Sequence, residues 1–218
     1  MQTRLYYATT DIIKSPADLD RLYRKASPGR QQKVDRIRRE DDKRLSLLAE
    51  YLMITALKNE GIGEISLTCG EKGKPYLTDK SLFFNLSHSG KVCICAVSDK
   101  DLGCDVEKIK RAKMNIANRF FSKEECLFLE STPESERDNA FFRLWTMKES
   151  FIKAVGTGLS MPLNSFSIDL SSPTPRLSYS TDGRSFFLKE YKLLNGYCFA
   201  VCGLDGDFAE ATEILSVE

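Results

Sequence analysis

The sequence has a single histidine, no long apolar run and almost no net charge. Its 218 residues contain 32 Lys and Arg against 31 Asp and Glu, which leaves a net charge of +1. This balance argues against a dedicated nucleic-acid-binding protein, although it leaves room for a local basic site. No apolar segment reaches the roughly 18 to 20 residues that a membrane span requires, and the N-terminal segment lacks the pattern of a signal peptide. We therefore expect neither a nucleic-acid partner nor a membrane partner.

The cysteine pattern argues against both disulfides and zinc. The seven cysteines form no C-x-x-C pair, and several alternate within apolar runs such as VCICAV and YCFAVC. This arrangement is typical of reduced, buried cysteines, and it predicts a cytoplasmic protein. With His88 as the one histidine, no zinc-ligand spacing fits.

What is present is enough apolar sequence for a core, arranged as a helix followed by strands, twice over. Hydrophobic residues make up 42% of the chain and aromatic residues 10%. Ser27 and the following proline predict a helix over 28–59, with a break near Asp41 and Asp42, and EISLTC, SLFFNLS, VCICAVS and LGCDVEK then predict strands. Helices within SKEECLFLE and NAFFRLWTMKESFIKAVG follow, and then strands within FSIDL, SFFLKEYKLL and YCFAVCG.

The two rounds of helix and strands predict an α+β protein with two similar halves. The fragments GKVCICAVS and GYCFAVCGL occupy similar places in each round, which indicates an internal duplication. We expect an N-terminal half over 1–110 and a C-terminal half over 111–218, packed as a pseudo-dimer within one chain. The active site is expected at their interface.

Two acidic side chains share one face of the strand LGCDVEKI. Successive side chains of a strand point to opposite faces, so Asp105 and Glu107 lie on one face while Cys104 and Val106 lie on the other. Like charges at this separation repel each other unless something positive lies between them.

The helix over 141–155 carries a charge within its apolar face. At about 100° per residue, Lys148 falls in the middle of the apolar arc, and Glu149 and Lys153 fall on its edge. The same projection puts Ser150, Arg143 and Thr146 on the polar face. In the simplest interpretation, Lys148 extends its ammonium to solvent and Glu149 pairs with Lys153. That interpretation leaves the two acids of the strand without a partner.

If Glu149 faces Asp105 and Glu107, three carboxylates converge, and a cation is needed to make such a cluster favourable. Oxygen ligands of this kind are typical of Mg²⁺, which commonly shares its coordination shell with a substrate phosphate, and Mn²⁺ accepts the same ligands. Nearby lysines would suit a polyphosphate substrate.

Other segments carry weaker signals, and each also has an ordinary structural interpretation. His88 in FNLSHSG is a phosphate-donor candidate, although a lone histidine between serines is more often structural. Lys74 in GEKGKPYL lies in a turn, where most lysines are solvated. The basic side chains of the first helix, which include Arg30, Lys33 and Arg44, alternate with acids as on a solvated face, but would also suit a phosphomonoester.

Taken together, GCDVEK, WTMKESFIKAVGTGLS and NLSHSG resemble the motifs of the 4′-phosphopantetheinyl transferase superfamily. The resemblance is closest to its longer, monomeric type, which activates nonribosomal peptide synthetases, and it extends from SPGRQQK to YCFAVCG. It implies transfer of the phosphopantetheine arm of coenzyme A to a serine of an apo acyl or peptidyl carrier protein, with release of adenosine 3′,5′-bisphosphate.

The resemblance also implies roles for individual residues. Asp105, Glu107 and Glu149 would hold Mg²⁺ against the coenzyme A diphosphate, Lys153 would contact the phosphate that gains charge, and Lys148 would lie in the same region. The residues similar to those that hold the 3′-phosphate are His88, Arg44, Lys33 and Arg30. Those similar to residues near the adenine are Lys74 and Ser87. Arg30 departs from the lysine that relatives often carry, which changes its donor geometry.

Three questions stay open at the level of sequence. The base that accepts the serine proton could be Glu149, a metal-bound water or Glu125. The segment RFFSKEECLFLE, with Arg119, Phe120 and Phe121, could form a carrier platform, but the two phenylalanines could equally be core. The alternative functions are a module that binds coenzyme A or a carrier protein without chemistry, and a metal-dependent phosphodiesterase.

Overall fold

The computed structural model describes residues 1–70, 73–179 and 183–217. Within these residues the α-helices are Pro16–Lys25 (α1), Pro28–Asp35 (α2), Glu40–Asn59 (α3), Met114–Phe120 (α4), Lys123–Ser131 (α5) and Glu134–Val155 (α6). The strands are Arg4–Thr9 (β1), Leu67–Cys69 (β2), Pro75–Leu77 (β3), Phe83–Ser89 (β4), Val92–Ser98 (β5), Leu102–Lys108 (β6), Ser167–Asp169 (β7), Arg176–Ser178 (β8), Phe187–Tyr191 (β9), Tyr197–Gly203 (β10) and Thr212–Glu213 (β11). No helix of this part of the chain is both long enough and apolar enough to cross a membrane.

The protein has the mixed α+β fold that the sequence predicts, with two main sheets. The first sheet has the order β11-β1-β5-β4 and the second the order β6-β10-β9, and two short hairpins, β2-β3 and β7-β8, complete the strands. The pairs β1-β5, β4-β5, β6-β10 and β9-β10 are antiparallel, whereas β1 and β11 are parallel. The sheets exchange strands across the expected boundary at residue 110, because β6 belongs to the second sheet and the C-terminal β11 to the first.

Each half has one long helix packed against its own sheet, and the two sheets pack against each other. Alternate side chains of β5 explain this arrangement: Cys93, Cys95 and Val97 belong to the core under α3, whereas Ile94 and Ala96 belong to the core between the sheets. All seven residues of β5 are buried. The strand β5 is one of the two inner strands of the first sheet and β10 is the middle strand of the second, which fits the duplication inferred from their sequences.

The helix ends largely follow the local sequence signals. Ser27 and Ser122 accept hydrogen bonds from the third backbone N–H of the helices that they cap, and Ser122 forms a complete capping box. Gly156 ends α6 with a φ of 77°, which other residues rarely adopt. The predicted break in the first helix is present, but it lies at residues 36–39, just before Asp41.

The helix α6 is more buried than its apolar arc suggested. Thr146 and Ser150, predicted on a polar face, are 1% and 0% exposed. Their hydroxyl groups donate to the backbone carbonyls of Phe142 and Met147, at 2.6 and 2.8 Å, so neither is left without a partner. The helix therefore packs on both sides, against the second sheet and against the α4-α5 segment, and two small hydroxyl residues allow it to do so.

Candidate active site

The two acids of β6 share one face of the strand, as predicted. Cys104 and Val106 belong to the core between the sheets, whereas Asp105 and Glu107 lie on the opposite face, which packs against α6. Asp105 is 4% exposed. Burial is the largest contribution that raises the pKa of both carboxyl groups, and the charge of Asp105 raises the pKa of Glu107 further.

Hydrogen-bonding side chains of β4 hold this acidic face from the first half. The Ser87 hydroxyl donates to Asp105 Oδ1 and the Ser89 hydroxyl to Glu107 Oε2, both at 2.7 Å. Asn85 continues the series, since its Oδ1 accepts from the Cys104 backbone N–H at 2.8 Å. The strands β4 and β6 thus meet through side chains at the seam between the halves.

Glu149 on α6 completes the group of three carboxylates. Burial raises its pKa most, and the charges of Asp105 and Glu107 raise it further, so the three acids are close enough to influence one another. Glu149 is therefore on the side of α6 that faces β6, while the convergence of the three carboxylates on a cation stays a prediction. The simpler interpretation, an isolated pair of Glu149 with Lys153, does not describe the contacts of Lys153.

Lys153 lies on the same helix, one turn after Glu149, and its ammonium enters the acidic group. Its Nζ is 2.6 Å from Asp105 Oδ1, and it also donates to the Ser87 hydroxyl and the Cys104 carbonyl at 3.2 Å. Burial alone would lower the pKa of Lys153, but the negative charge of Asp105, with a smaller contribution from Glu149, outweighs it and raises the pKa. One ammonium therefore already compensates part of the acidic charge.

The acidic group fits a hard divalent cation, although its side chains are not arranged as a finished metal site. Among residues 1–70, 73–179 and 183–217, no group of three or more His, Cys, Asp or Glu side chains is arranged so that it could hold a metal ion. Lys153 donates to one oxygen of Asp105, Oδ1. The other oxygen, Oδ2, is buried and has no hydrogen-bond partner among the described residues. A buried carboxylate oxygen without a donor is costly unless a cation reaches it, and three carboxylates are a donor set typical of Mg²⁺.

A basic region adjoins the acidic group on the side of the first half. His88 follows Ser87 on β4 and is exposed. Neighbouring residues exclude water from part of the imidazole, and this is the largest cause that lowers the pKa of His88. The positive charges of Lys33, Lys153 and Arg30 lower it further. Cationic side chains of α2 and α6 thus act together on the position of His88 on β4, which is favourable for an anion.

The other predicted phosphate ligands have protein partners. Arg30 donates to the Ser46 hydroxyl at 3.2 Å and lies 3.8 Å from Glu50 Oε2, so α3 fixes its guanidinium. Arg44 donates to the Ile13 carbonyl at 3.1 Å, at the end of the turn that follows β1.

Lys74, predicted near an adenine, extends from the β2-β3 hairpin into the second half. Its Nζ donates to the Leu102 carbonyl at 3.0 Å and to the Lys153 carbonyl at 2.8 Å. Burial is the main cause that lowers its pKa. Its ammonium is thus engaged by the backbone of β6 and α6.

The structure corrects the position of Lys148. This side chain is fully buried, and its Nζ is 2.9 Å from Glu125 Oε2 and donates to the carbonyls of Leu163 and Phe166. It neither reaches solvent nor offers its charge to a diphosphate beside Lys153. Glu125, proposed as a base, is 2% exposed and also accepts from the Ile168 N–H, so it faces the core of the second half.

A small groove with an apolar floor and a basic rim adjoins Glu107. Its volume is about 330 Å³, and its lining residues are Glu107, Lys110, Arg111, Lys113, Ile116, Phe141, Phe142 and Trp145. A larger cleft of about 840 Å³ between the α5-α6 turn and the β9-β10 turn contains none of the three acids, so cleft size does not locate the site.

The segment RFFSKEE contributes one exposed and one core residue. Arg119 is exposed and lies over the ring of Phe120, with 5.1 Å to the ring centroid. Phe120 is half-buried against Trp145, whereas Phe121 is 3% exposed and belongs to the core of the second half.

Comparison with known proteins places the chain in a family. Residues 101–202 match the family model described as the 4′-phosphopantetheinyl transferase superfamily, and residues 14–100 match an N-terminal model of 4′-phosphopantetheinyl transferase. A 4′-phosphopantetheinyl transferase of Bacillus subtilis is 34% identical over 220 residues, which cover 99% of this chain and 98% of that protein. The chain belongs to the 4′-phosphopantetheinyl transferase superfamily.

Other 4′-phosphopantetheinyl transferases are similar to this chain over most of its length. The 4′-phosphopantetheinyl transferase Sfp of B. subtilis strain 168 is also 34% identical, with the same coverage, and the transferase gsp of Aneurinibacillus migulanus is 33% identical over 88% of this chain and 84% of that protein. The solved structure of a Thermotoga maritima holo-[acyl-carrier-protein] synthase aligns with 47% of this chain and 61% of that one, at 20% identity and a TM-score of 0.41.

Some residues of this superfamily member were missed at the level of sequence. Ser89 donates to Glu107, and the positive charge of Lys110 partly opposes the rise in the pKa of Glu107. The alternation of Asn85, Ser87 and Ser89 in FNLSHSG is the signal that could have identified the whole polar face of β4. No comparable signal identifies Lys110, because it lies outside the regular elements.

Proposed function

We propose that this protein transfers the 4′-phosphopantetheine group of coenzyme A to a serine hydroxyl of an apo acyl or peptidyl carrier protein, with adenosine 3′,5′-bisphosphate as the second product. One observation carries the proposal: Asp105, Glu107 and Glu149 converge on Lys153 beside a basic region, in a chain similar over its length to 4′-phosphopantetheinyl transferases. Carrier proteins of peptide, polyketide or fatty-acid synthesis are the proposed substrates.

The proposed reaction is a phosphoryl transfer in which the protein positions reactants and neutralises charge. The serine oxygen forms a bond to the phosphorus that carries pantetheine, and the bond from this phosphorus to the bridging oxygen breaks. That oxygen and its negative charge leave with the nucleotide, and the serine proton passes to a base. Lys153 is proposed to stabilise the charge that develops on the diphosphate.

Asp105, Glu107 and Glu149 are proposed to hold Mg²⁺, for which Mn²⁺ could substitute. The unpartnered oxygen of Asp105 and the carboxylate donor set support this assignment. When bound, the cation would neutralise diphosphate charge as a Lewis acid. Of the two carboxylates considered as a base, Glu149 lies at the site, whereas Glu125 is held by Lys148; we therefore propose Glu149.

His88, Arg30 and Lys33 are proposed to bind the 3′-phosphate. The positive charges of Arg30 and Lys33 both lower the pKa of His88, and a phosphomonoester would bring the opposite charge to that place. Arg44 belongs to the proposal on the resemblance alone. Ser87 belongs near the adenine on the resemblance alone, and its hydroxyl already donates to Asp105 at 2.7 Å.

The groove beside Glu107 is proposed to receive the pantetheine-bearing side of the reaction and the carrier. Lys110, Arg111 and Lys113 surround its apolar floor, and the exposed Arg119 extends the basic surface. This charge suits an acidic carrier. We expect Lys113→Glu to raise the Michaelis constant for the carrier about tenfold with little change in that for coenzyme A, whereas Lys58→Glu on the first half changes neither; equal effects of both variants would contradict the docking surface.

We propose that the protein acts as a cytoplasmic monomer. Both sides of the site come from one chain, with Ser87 and His88 on the first sheet, Asp105 and Glu107 on the second sheet and Glu149 on α6. The seven cysteines are all free, which suits a reducing compartment.

The decisive test is intact-mass analysis of an apo carrier protein after incubation with this protein, coenzyme A and Mg²⁺. We expect a gain of one phosphopantetheine group that EDTA abolishes and that Asp105→Asn does not support. Cleavage of coenzyme A without a carrier would indicate a phosphodiesterase instead. Tight binding of coenzyme A with neither cleavage nor transfer would indicate a binding module.

A further inference from the structure

The helix α6 lies unusually close to β6, and the contact is at Gly103. A Cβ atom built on Gly103 would be 2.1 Å from the Ser150 carbonyl oxygen and 2.4 Å from the Ala154 nitrogen. Both are backbone atoms, so no side-chain rotation could relieve the overlap. Ordinary contact needs about 3.5 Å, so α6 would have to move by roughly 1.4 Å to accept a methyl group.

The charged side chain of Lys74, which precedes β3, links β6 and α6 at the same contact. The Lys74 ammonium donates to the carbonyl of Leu102, which precedes Gly103, and to the carbonyl of Lys153. The Lys153 carbonyl belongs to the last turn of α6, where carbonyls have no partner within the helix and a positive charge is favourable. Lys74 therefore bridges strand and helix where they approach most closely.

We propose that Gly103 and Lys74 are positioning residues that fix α6 at the separation from β6 needed by the reaction. The inference rests on the proposed function. Lys153 reaches Asp105 at 2.6 Å from the turn of α6 that Gly103 and Lys74 hold, and Glu149 lies one turn earlier on the same helix. A displacement of 1 Å at reacting groups can reduce a rate about 100-fold.

Gly103→Ala tests the close approach, and Gly203→Ala is its matched control. Gly203 lies on the adjacent strand β10, in register with Leu102, and a Cβ there would meet atoms no closer than 3.6 Å. In steady-state assays with coenzyme A and an apo carrier, we expect Gly103→Ala to lower kcat about 100-fold, while Gly203→Ala stays within threefold of the wild type. Equal losses in the two variants, or a Gly103→Ala rate within threefold of the wild type, would overturn the proposal.

Lys74→Met and Lys74→Arg test the bridge. Methionine removes the donors and keeps most of the apolar stem, so we expect kcat to fall about tenfold with the Michaelis constant for coenzyme A within threefold of its original value. Arginine can donate to both carbonyls and should restore at least half of the rate. A raised Michaelis constant with unchanged kcat would show that Lys74 binds the nucleotide instead, and no change in either constant would show that the bridge is incidental.

Amide hydrogen exchange separates this inference from the proposed function, because it needs no activity. We expect faster exchange in peptides over 148–155 of Gly103→Ala and Lys74→Met, and unchanged exchange there in Gly203→Ala. If the wild type transfers nothing but exchange responds in this way, the contact stands and the function fails. If the wild type is active and exchange does not respond, the positioning role fails. Should Gly103→Ala not fold, the two Lys74 variants decide the outcome.

Discussion

Lys148→Met should destabilise the protein strongly without weakening coenzyme A binding. Lys148 is fully buried, and its ammonium contacts the Glu125 carboxylate, two backbone carbonyls and, at 4.1 Å from the centroid, the ring of Phe166. Methionine retains the apolar stem and removes the charge. Glu125 then keeps a buried negative charge, with the backbone N–H groups of Ser122 and Ile168 as its remaining donors.

The size of the effect follows from the broken ion pair. Removing one partner of a buried pair typically costs about 3–5 kcal/mol, because the other charge stays buried. The two backbone donors that remain on Glu125 favour the lower part of this range, while two carbonyls that lose a charged donor favour the upper part. We expect a loss of about 4 kcal/mol, which for a chain of this length corresponds to a decrease in Tm of roughly 8–16 °C.

Urea unfolding of Lys148→Met, Glu125→Gln and the double variant provides the assay. Neutral residues at both positions remove the uncompensated charge, so the double variant should recover at least half of the stability that Lys148→Met loses. The Michaelis constant for coenzyme A should stay within threefold of the wild type in all of them. A loss below about 1 kcal/mol, or a large rise in that constant with unchanged stability, would refute this reasoning and return Lys148 to the diphosphate.

Three further predictions address the site and its surroundings. Glu149→Gln removes one of three repelling carboxylates, so it should abolish transfer in the mass assay while the Tm of the unliganded protein stays the same or rises; a lower Tm would contradict the repulsion. Because the pKa of His88 is lowered from 6.5, the unfolded chain binds more protons near that pH, and stability should fall as pH decreases from about 7.5 to 5.5; His88→Gln should flatten this slope in pH-dependent urea titrations. In thiol alkylation of the native protein at pH 8, Cys69 is exposed and should react first, whereas burial raises the pKa of Cys104 to about 12 and should make it slow; mass analysis of the labelled peptides checks the order.

Local sequence signals predicted most of the helices and strands, because the start, end and exposed face of such an element depend on residues that are close in the sequence. The alternation in LGCDVEK correctly placed Asp105 and Glu107 on one face, and the caps at Ser27, Ser122 and Gly156 ended helices where expected. Short strands such as β3 and β8 lacked enough residues to show a period. The strand β11 pairs at a distance of about 200 residues, which no local pattern reveals.

The site was predicted unevenly, and Lys148 and Lys153 show why. The helical projection placed Lys148 in the middle of the apolar arc and Lys153 on its edge, but it contains no information on what packs against each part of the helix. Lys153 faces β6 and forms an ion pair with Asp105, whereas Lys148 faces α5 and forms an ion pair with Glu125. Tertiary packing alone separates a lysine at the site from a lysine in the core. The resemblance to a family does not resolve this difference either, because both lysines belong to the same motif.

The pairing of β1 with β11 has a consequence for synthesis of the protein on the ribosome. The first sheet gains its last strand only after Glu213 has been made, about 115 residues later than the end of β5 at Ser98. At roughly 5–20 residues per second, this delay is on the order of 10 s. Throughout that interval, the outer edge of β1 presents unpaired backbone groups to other nascent chains. Chaperone binding to the nascent N-terminal half should therefore persist until the C-terminal strand emerges.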